Sequence, residues 1–189
     1  MLQGDRFARY PRVIVELGMG DGRLIECLAK KDEHSLYVGI EIDSEQFKQA
    51  KSRISTDNVL LLEGSFEALM PTLPDGCVDL FLAVLPDPSF IDPGKQDSWK
   101  KFYKNLLDKL KRGGTFQLVT ELTDELLQPV TDDDYERWTE WLEQAFVSQG
   151  FVSMGSIHGA PSEYSSRCLD QFRGDPERIA MVTMTFTKP

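Results

Sequence analysis

Two patterns of apolar residues alternate along the chain. Short consecutive apolar runs mark buried strands, and apolar positions recurring every three to four residues mark amphipathic helices. Val13 to Leu17 reads as the first strand and Arg23 to Lys31 as a helix with Leu24, Cys27 and Leu28 on one face. Ser35 to Ile42 is the second strand. Asp43 to Ile54 is a helix in which Asp43 and Gln46 stand at capping-box spacing. Val59 to Leu62 and Val78 to Leu85 make the third and fourth strands. Ser98 to Arg112 reads as a helix with Phe102, Leu106, Leu107 and Leu110 inward, stopped by Gly113-Gly114. Thr115 to Thr120 is the fifth strand. Tyr135, Trp138, Trp141, Leu142, Ala145 and Phe146 form a core-facing helical stripe that ends at Gly150. Phe151 to His158 and Ile179 to Thr187 are two closing strands separated by a polar stretch. Such alternation predicts an α/β domain with a mostly parallel sheet. Five βα units closed by a terminal β-pair differ from an ordinary dinucleotide-binding fold, which more often closes with another parallel strand.

Composition sets bounds without naming a function. With 189 residues the chain fits one domain, residues 1–189, and no repeat or low-complexity segment divides it. No stretch approaches the roughly 20 apolar residues that cross a bilayer. Cys27, Cys77 and Cys168 show no metal-ligand spacing, so no metal is expected, and the odd thiol suits a reducing, cytoplasmic setting. The net charge of −10 opposes a polyanionic partner as a whole. Its distribution is uneven: Lys95 to Arg112 carries seven basic residues against two acids, whereas Glu121 to Glu143 carries nine acids and one Arg.

Chemistry concentrates where the first strand ends. Glu16-Leu-Gly18-Met-Gly20-Asp-Gly22 follows a buried run and opens a helix. Glycine there lets the backbone turn sharply and approach a ligand, and the helix start offers free N–H groups. A dinucleotide fingerprint needs Gly or Ala where Arg23 stands. The second strand ends in Gly39-Ile-Glu41-Ile-Asp43, with Glu41 23 residues after Gly18, the distance at which an acid reaches vicinal ribose hydroxyls. Asp43 reads as a helix cap.

These residues resemble the class I S-adenosylmethionine-dependent methyltransferases, through Glu16 to Gly22, Glu41, Asn58-Val59 and Leu110 to Thr115. The resemblance implies a Rossmann-like methyltransferase fold: a seven-stranded, mostly parallel sheet with an antiparallel terminal strand and helices on both faces. It also implies S-adenosylmethionine as methyl donor. Glu16, Gly18, Gly20 and Gly22 would flank its methionine part, Glu41 would take the ribose, and Ser65 and Phe66 would lie beside the adenine. Leu85-Pro86-Asp87-Pro88, Thr120-Glu121 and Pro161-Ser-Glu-Tyr164 narrow the likeness to the tRNA (guanine-N7-)-methyltransferase family. On that resemblance Asp87 sits beside donor and target base as the catalytic residue, and Glu121, Ser162 and Tyr164 meet the substrate.

The sequence departs from that family at the substrate side. Ser89 replaces the Trp after Pro-Asp-Pro, Phe90 to Gly94 replaces a basic run, and Ser165 replaces a late Glu. Guanine N7 is already nucleophilic and carries no proton, so the chemistry needs no strong base; His34 and His158 read as structural. Arg167, Arg173 and Arg178 offer phosphate contacts near the pocket mouth, beside the basic helix. A tRNA-like RNA is therefore the first expected partner. A small-molecule or protein acceptor, or a non-catalytic donor-binding module, is the alternative, and no membrane is expected.

Overall fold

A computed structural model of the chain describes residues 4–124 and 128–189. In chain order the elements are α1 (Gly4–Phe7), β1 (Arg12–Leu17), α2 (Arg23–Lys31), β2 (Ser35–Glu41), α3 (Ser44–Arg53), β3 (Val59–Glu63) and α4 (Phe66–Leu69). Then follow β4 (Val78–Val84), α5 (Gln96–Lys109), β5 (Leu110–Thr123), α6 (Asp132–Val147), β6 (Val152–His158), α7 (Arg167–Arg173) and β7 (Ile179–Thr187). The strands form one sheet in the order β3-β2-β1-β4-β5-β7-β6. Strands β1 to β5 pair in parallel, while β7 runs antiparallel to both β5 and β6. This is the Rossmann-like sheet with an inverted strand that the sequence implies.

Apolar residues on consecutive positions are explained by helices on both faces. All seven residues of β2 are buried. In β1, Val13, Val15 and Leu17 enter a core shared with α5 and α6, through Trp99, Phe102, Leu106, Leu142 and Phe146. The intervening Ile14 enters the opposite core, with Leu24 and Ile25 of α2, Phe47 of α3 and Leu169 of α7. All five parallel strands end along one edge, where open α/β sheets bind ligands.

The boundary near residue 110 differs from the sequence reading. Helix α5 begins at Gln96 and stops at Lys109, and Leu110 already pairs with Val78. A register shift then lets 111–114 arch out before Thr115 pairs with Leu80. Lys and Arg are good helix formers, but fully burying Leu110 against the sheet outweighs their preference. Gly113-Gly114 therefore shapes a bulge, not a helix end. A Cβ on Gly114 would stand 2.9 Å from the Lys111 carbonyl and 3.0 Å from that of Val78. Strand β2 also ends one residue early, which leaves Ile42 68% exposed. Of the aromatic stripe on α6, Phe146 is fully buried, whereas Tyr135, Trp138 and Trp141 are only partly covered.

Candidate functional site

The loop leaving β1 is fixed by the strand beside it. Gly18 and Met19 both donate N–H groups to the Ile40 carbonyl, at 2.9 and 3.0 Å. Gly18, Gly20 and Gly22 have φ of 73°, 56° and 76°. Gly22 is required twice over, because a Cβ there would also lie 2.9 Å from Cβ of Ala50. At Gly18 and Gly20 a Cβ would meet nothing within 4 Å. Those two positions face open space.

Both oxygens of Glu41 bind backbone. Oε2 accepts from Gly20 N and Oε1 from Asp43 N, each at 2.8 Å. The acid thus staples the exits of β1 and β2 together and keeps its outward lone pairs. Asp43 caps α3 as expected, accepting from the N–H groups of Glu45 and Gln46. The reciprocal half of the box is supplied by Glu41, and Gln46 turns instead toward a cavity.

That cavity, about 260 Å³, opens over the glycine loop. Glu16 forms part of its floor, 3% exposed, and Oε2 has no hydrogen-bond partner. Burial, then the nearby charges of Glu41 and Asp21, push its carboxyl up to about 8. The Ile25 backbone offsets part of this rise; a buried carboxyl oxygen without a partner marks a place where a donor or a cation is missing. Val84 and Leu85 form a second wall, and Ser166, Arg167 and Cys168 of the late segment form a third. Leu85 has φ of +52°, the one non-glycine residue with positive φ among the described residues. Such strain, of order 1–3 kcal/mol, is held by its surroundings; here Leu85 N donates to the Val119 carbonyl at 2.8 Å.

Leu85 turns the chain into the Pro-Asp-Pro loop. Asp87 is exposed, and its Oδ1 accepts from Ser89 N at 2.8 Å. Hydrogen bonds from Ser89, its hydroxyl foremost, hold the carboxyl below the usual carboxylate range. Phe90 of this loop packs on Phe66 at 4.8 Å between ring centroids, and both meet Phe102. Ser65 caps α4 by accepting from Glu67 N. Thus Phe66 and Asp87 share one loop cluster at the strand ends, beside the cavity and not in its lining.

The substrate-side residues divide. Glu121 lies at the exit of β5 with Oε2 unpartnered, and burial raises its carboxyl to about 7. Ser162 is exposed. Tyr164 is buried, its hydroxyl donating to Gln117 Oε1, and burial foremost raises it to about 12. Tyr164 therefore anchors the late segment. Arg173 completes the anchor, donating to the carbonyls of Tyr164 and Pro161 at 2.7 and 2.6 Å. Sequence reasoning misses Cys168, Gln46 and Gln49 as cavity residues, and Arg167, expected near the pocket mouth, lines the cavity with them; a helix cap at Ser166 is the one available signal.

A larger hollow of about 510 Å³ lies between the exit of β5 and α6, lined by Trp138, Trp141, Leu122, Asp134 and Arg137. The unpartnered Glu16 Oε2 and the glycine loop belong to the smaller cavity, not to this one. Among the described residues no group of three His, Cys, Asp or Glu could hold a metal ion, and no helix is long and apolar enough to cross a membrane.

The sequence profile of a family described as "Putative methyltransferase" matches residues 11–149. A tRNA (guanine-N(7)-)-methyltransferase of Campylobacter fetus is 30% identical over 123 residues, which is 64% of this chain and 31% of the relative. Its namesake in Magnetococcus marinus is 24% identical over 154 residues, 73% of this chain and 54% of the relative. The chain thus spans about a third to a half of the length of these relatives. Among solved structures, the 16S rRNA methyltransferase KamB aligns with a TM-score of 0.75 at 16% identity, over 98% of this chain and 92% of that one. A 16S rRNA (adenine(1408)-N(1))-methyltransferase from Catenulisporales acidiphilia, a W203A mutant with S-adenosylmethionine as cosubstrate, aligns at 0.69 and 14% identity, over 98% and 89%. At such identities the likeness carries the fold.

Proposed function

The chain belongs to the family described as "Putative methyltransferase", and we propose that it moves the methyl group of S-adenosylmethionine onto an RNA base, with guanine N7 of a tRNA-like substrate as the leading acceptor. The observation that carries the donor half is Glu16: a buried carboxyl whose Oε2 has no partner, in the lining of the cavity that opens over the glycine loop. The donor's ammonium would supply the missing partner. Glu41 would accept from the ribose hydroxyls through its outward lone pairs. Ile42, apolar and exposed just after it, and Phe66 would flank the adenine. A cavity of about 260 Å³ suits the amino-acid end alone, since whole-ligand pockets run to roughly 300–1,000 Å³.

When bound, the donor supplies an electrophilic methyl on sulfur. The protein's task is to hold the acceptor in line and keep water away. Asp87, ionised at neutral pH, would accept from the N–H edge of the base and so orient it. Glu121, near half protonation at neutral pH, can donate or accept at the acceptor's other edge. Ser162, exposed beside the anchored Tyr164, would touch the substrate at the rim.

The RNA half is supported by what the relatives are named for and by a basic face. Lys109 and Lys111 are tied to Asp75 and Asp79, at 2.5 and 2.7 Å, and Lys100, Lys101 and Lys104 remain on α5 for phosphates. A second reading, a small-molecule or protein acceptor, is favoured by the hollow beside the acidic α6. Incubation with methyl-labelled donor and total small RNA, followed by nucleoside analysis, separates them. Label in 7-methylguanosine supports the first reading. Label that never enters RNA but enters a protein or metabolite fraction would replace it with the second.

A further inference from the structure

Four charged residues line the donor cavity, Glu16, Asp21, Arg23 and Arg167, and one pair of them is matched. Asp21 faces two arginines, Arg23 Nε at 2.9 Å and Arg53 Nη1 at 3.4 Å. Two groups remain. Glu16 Oε2 has no partner, and Arg167 carries no ion pair among the described residues. They line the same cavity from different parts of the fold, Glu16 from β1 and Arg167 from the first position of α7.

An acid and a guanidinium in one hollow, not paired with each other, are the two halves of a receptor for an α-amino acid. The acid takes the ammonium. The guanidinium fork matches a carboxylate through two parallel N–H···O bonds. We infer that Arg167 holds the carboxylate of the donor's amino-acid end, making the site selective for ligands that carry a free α-amino acid. This rests on the reading that S-adenosylmethionine is the ligand.

The placement of Arg167 is firm although its side chain is exposed. Ser166 caps α7 by accepting from Leu169 N at 3.2 Å, and Leu169 is fully buried. Arg173 binds two carbonyls of the preceding turn, and Tyr164 reaches Gln117 on β5. Arg23 is the other arginine in the lining, but its Nε already serves Asp21. Arg167 is a specificity-determining residue for the donor, and phosphate binding is not its main role.

Calorimetric titration of the full chain with S-adenosylmethionine and with its decarboxylated analogue tests this. The wild type should bind the analogue about 10-fold or more weakly, as expected for loss of a charged hydrogen-bonded pair. Arg167→Ala should weaken S-adenosylmethionine by about 10-fold yet change the analogue by no more than about twofold, so the two losses do not add. Arg167→Lys should restore part of the preference. Equal losses for both ligands, or no loss for either, would overturn the assignment. If the wild type binds neither compound, the donor reading falls first and this one with it, a result visible before any variant is made.

Discussion

Replacing Glu16 with Gln should make the ligand-free protein more stable at alkaline pH while damaging donor binding. In the folded state the carboxyl is held at about 8 against 4.5 for the free group, mainly by burial. Below pH 4.5 it is protonated whether the chain is folded or not, and ionisation costs nothing. Between pH 4.5 and 8 the unfolded chain releases this proton and the folded one keeps it, so the folded state loses ground steadily. Above pH 8 the full cost is present. At ~1.36 kcal/mol per unit, a shift from 4.5 to about 8 corresponds to at most about 5 kcal/mol. Relaxation and water entry reduce that, so about 2–4 kcal/mol is the working expectation. Gln has the shape of the acid and no charge to lose. Urea unfolding of both proteins at pH 5, 7 and 9 should give similar stabilities at pH 5. The wild type should then fall behind by pH 9, and added S-adenosylmethionine should rescue the wild type more than the variant. Parallel pH profiles would refute the reasoning, because Glu16 would then be solvated or already paired.

Donor affinity of the wild type should rise with pH toward 8, since the ammonium needs Glu16 ionised; titration in buffers of different ionisation heat should show proton release on binding, and a pH-independent affinity would contradict it. Asp87→Ala should cut kcat by ~100-fold through loss of orientation while donor affinity stays within about twofold, and unchanged turnover would remove Asp87 from the reaction. Gly22→Ala, at φ 76° and against Ala50, should cost at least ~1–2 kcal/mol, read as a Tm lower by about 2–8 °C; an unchanged Tm would mean the loop can relax. Neutralising Lys100, Lys101 and Lys104 together should flatten the salt dependence of RNA binding by roughly one log–log unit for each phosphate no longer neutralised, and an unaltered slope would place the RNA elsewhere.

Much of the sheet is readable from local pattern. Strands β1 and β2 carry consecutive apolar residues, such as Val13 to Val15 and Leu36 to Val38, because helices cover both faces, and the glycine loop is marked by residue type alone. Residue 110 defeats a local reading because its fate depends on Val78, more than 30 positions away. Glu41 can be recognised as an acid at a strand exit, but its grip on Gly20 N lies outside any local pattern. In the sequence Arg167 looks like one more surface cation. Its place in the same cavity as Glu16 comes from Tyr164 meeting Gln117 and Arg173 meeting Pro161, interactions that leave no periodicity to detect. Tyr164 stands inside a motif resembling a substrate stretch, yet its ring is buried.

Strand β7 is made after β6 but lies between β5 and β6, and among the described residues β6 has no other neighbour in the sheet. On a ribosome adding about 5–20 residues each second, β6 therefore emerges before β7, its one partner among the described residues, exists; Val152, Met154 and Ile157 stay exposed even in the finished sheet. The anchored stretch bearing Arg167 hangs in the same interval. Shortening the chain by its final strand would strip β5 and β6 of a neighbour at once and loosen the cavity wall built from Ser166, Arg167 and Cys168, remote in sequence from the glycines on its other side.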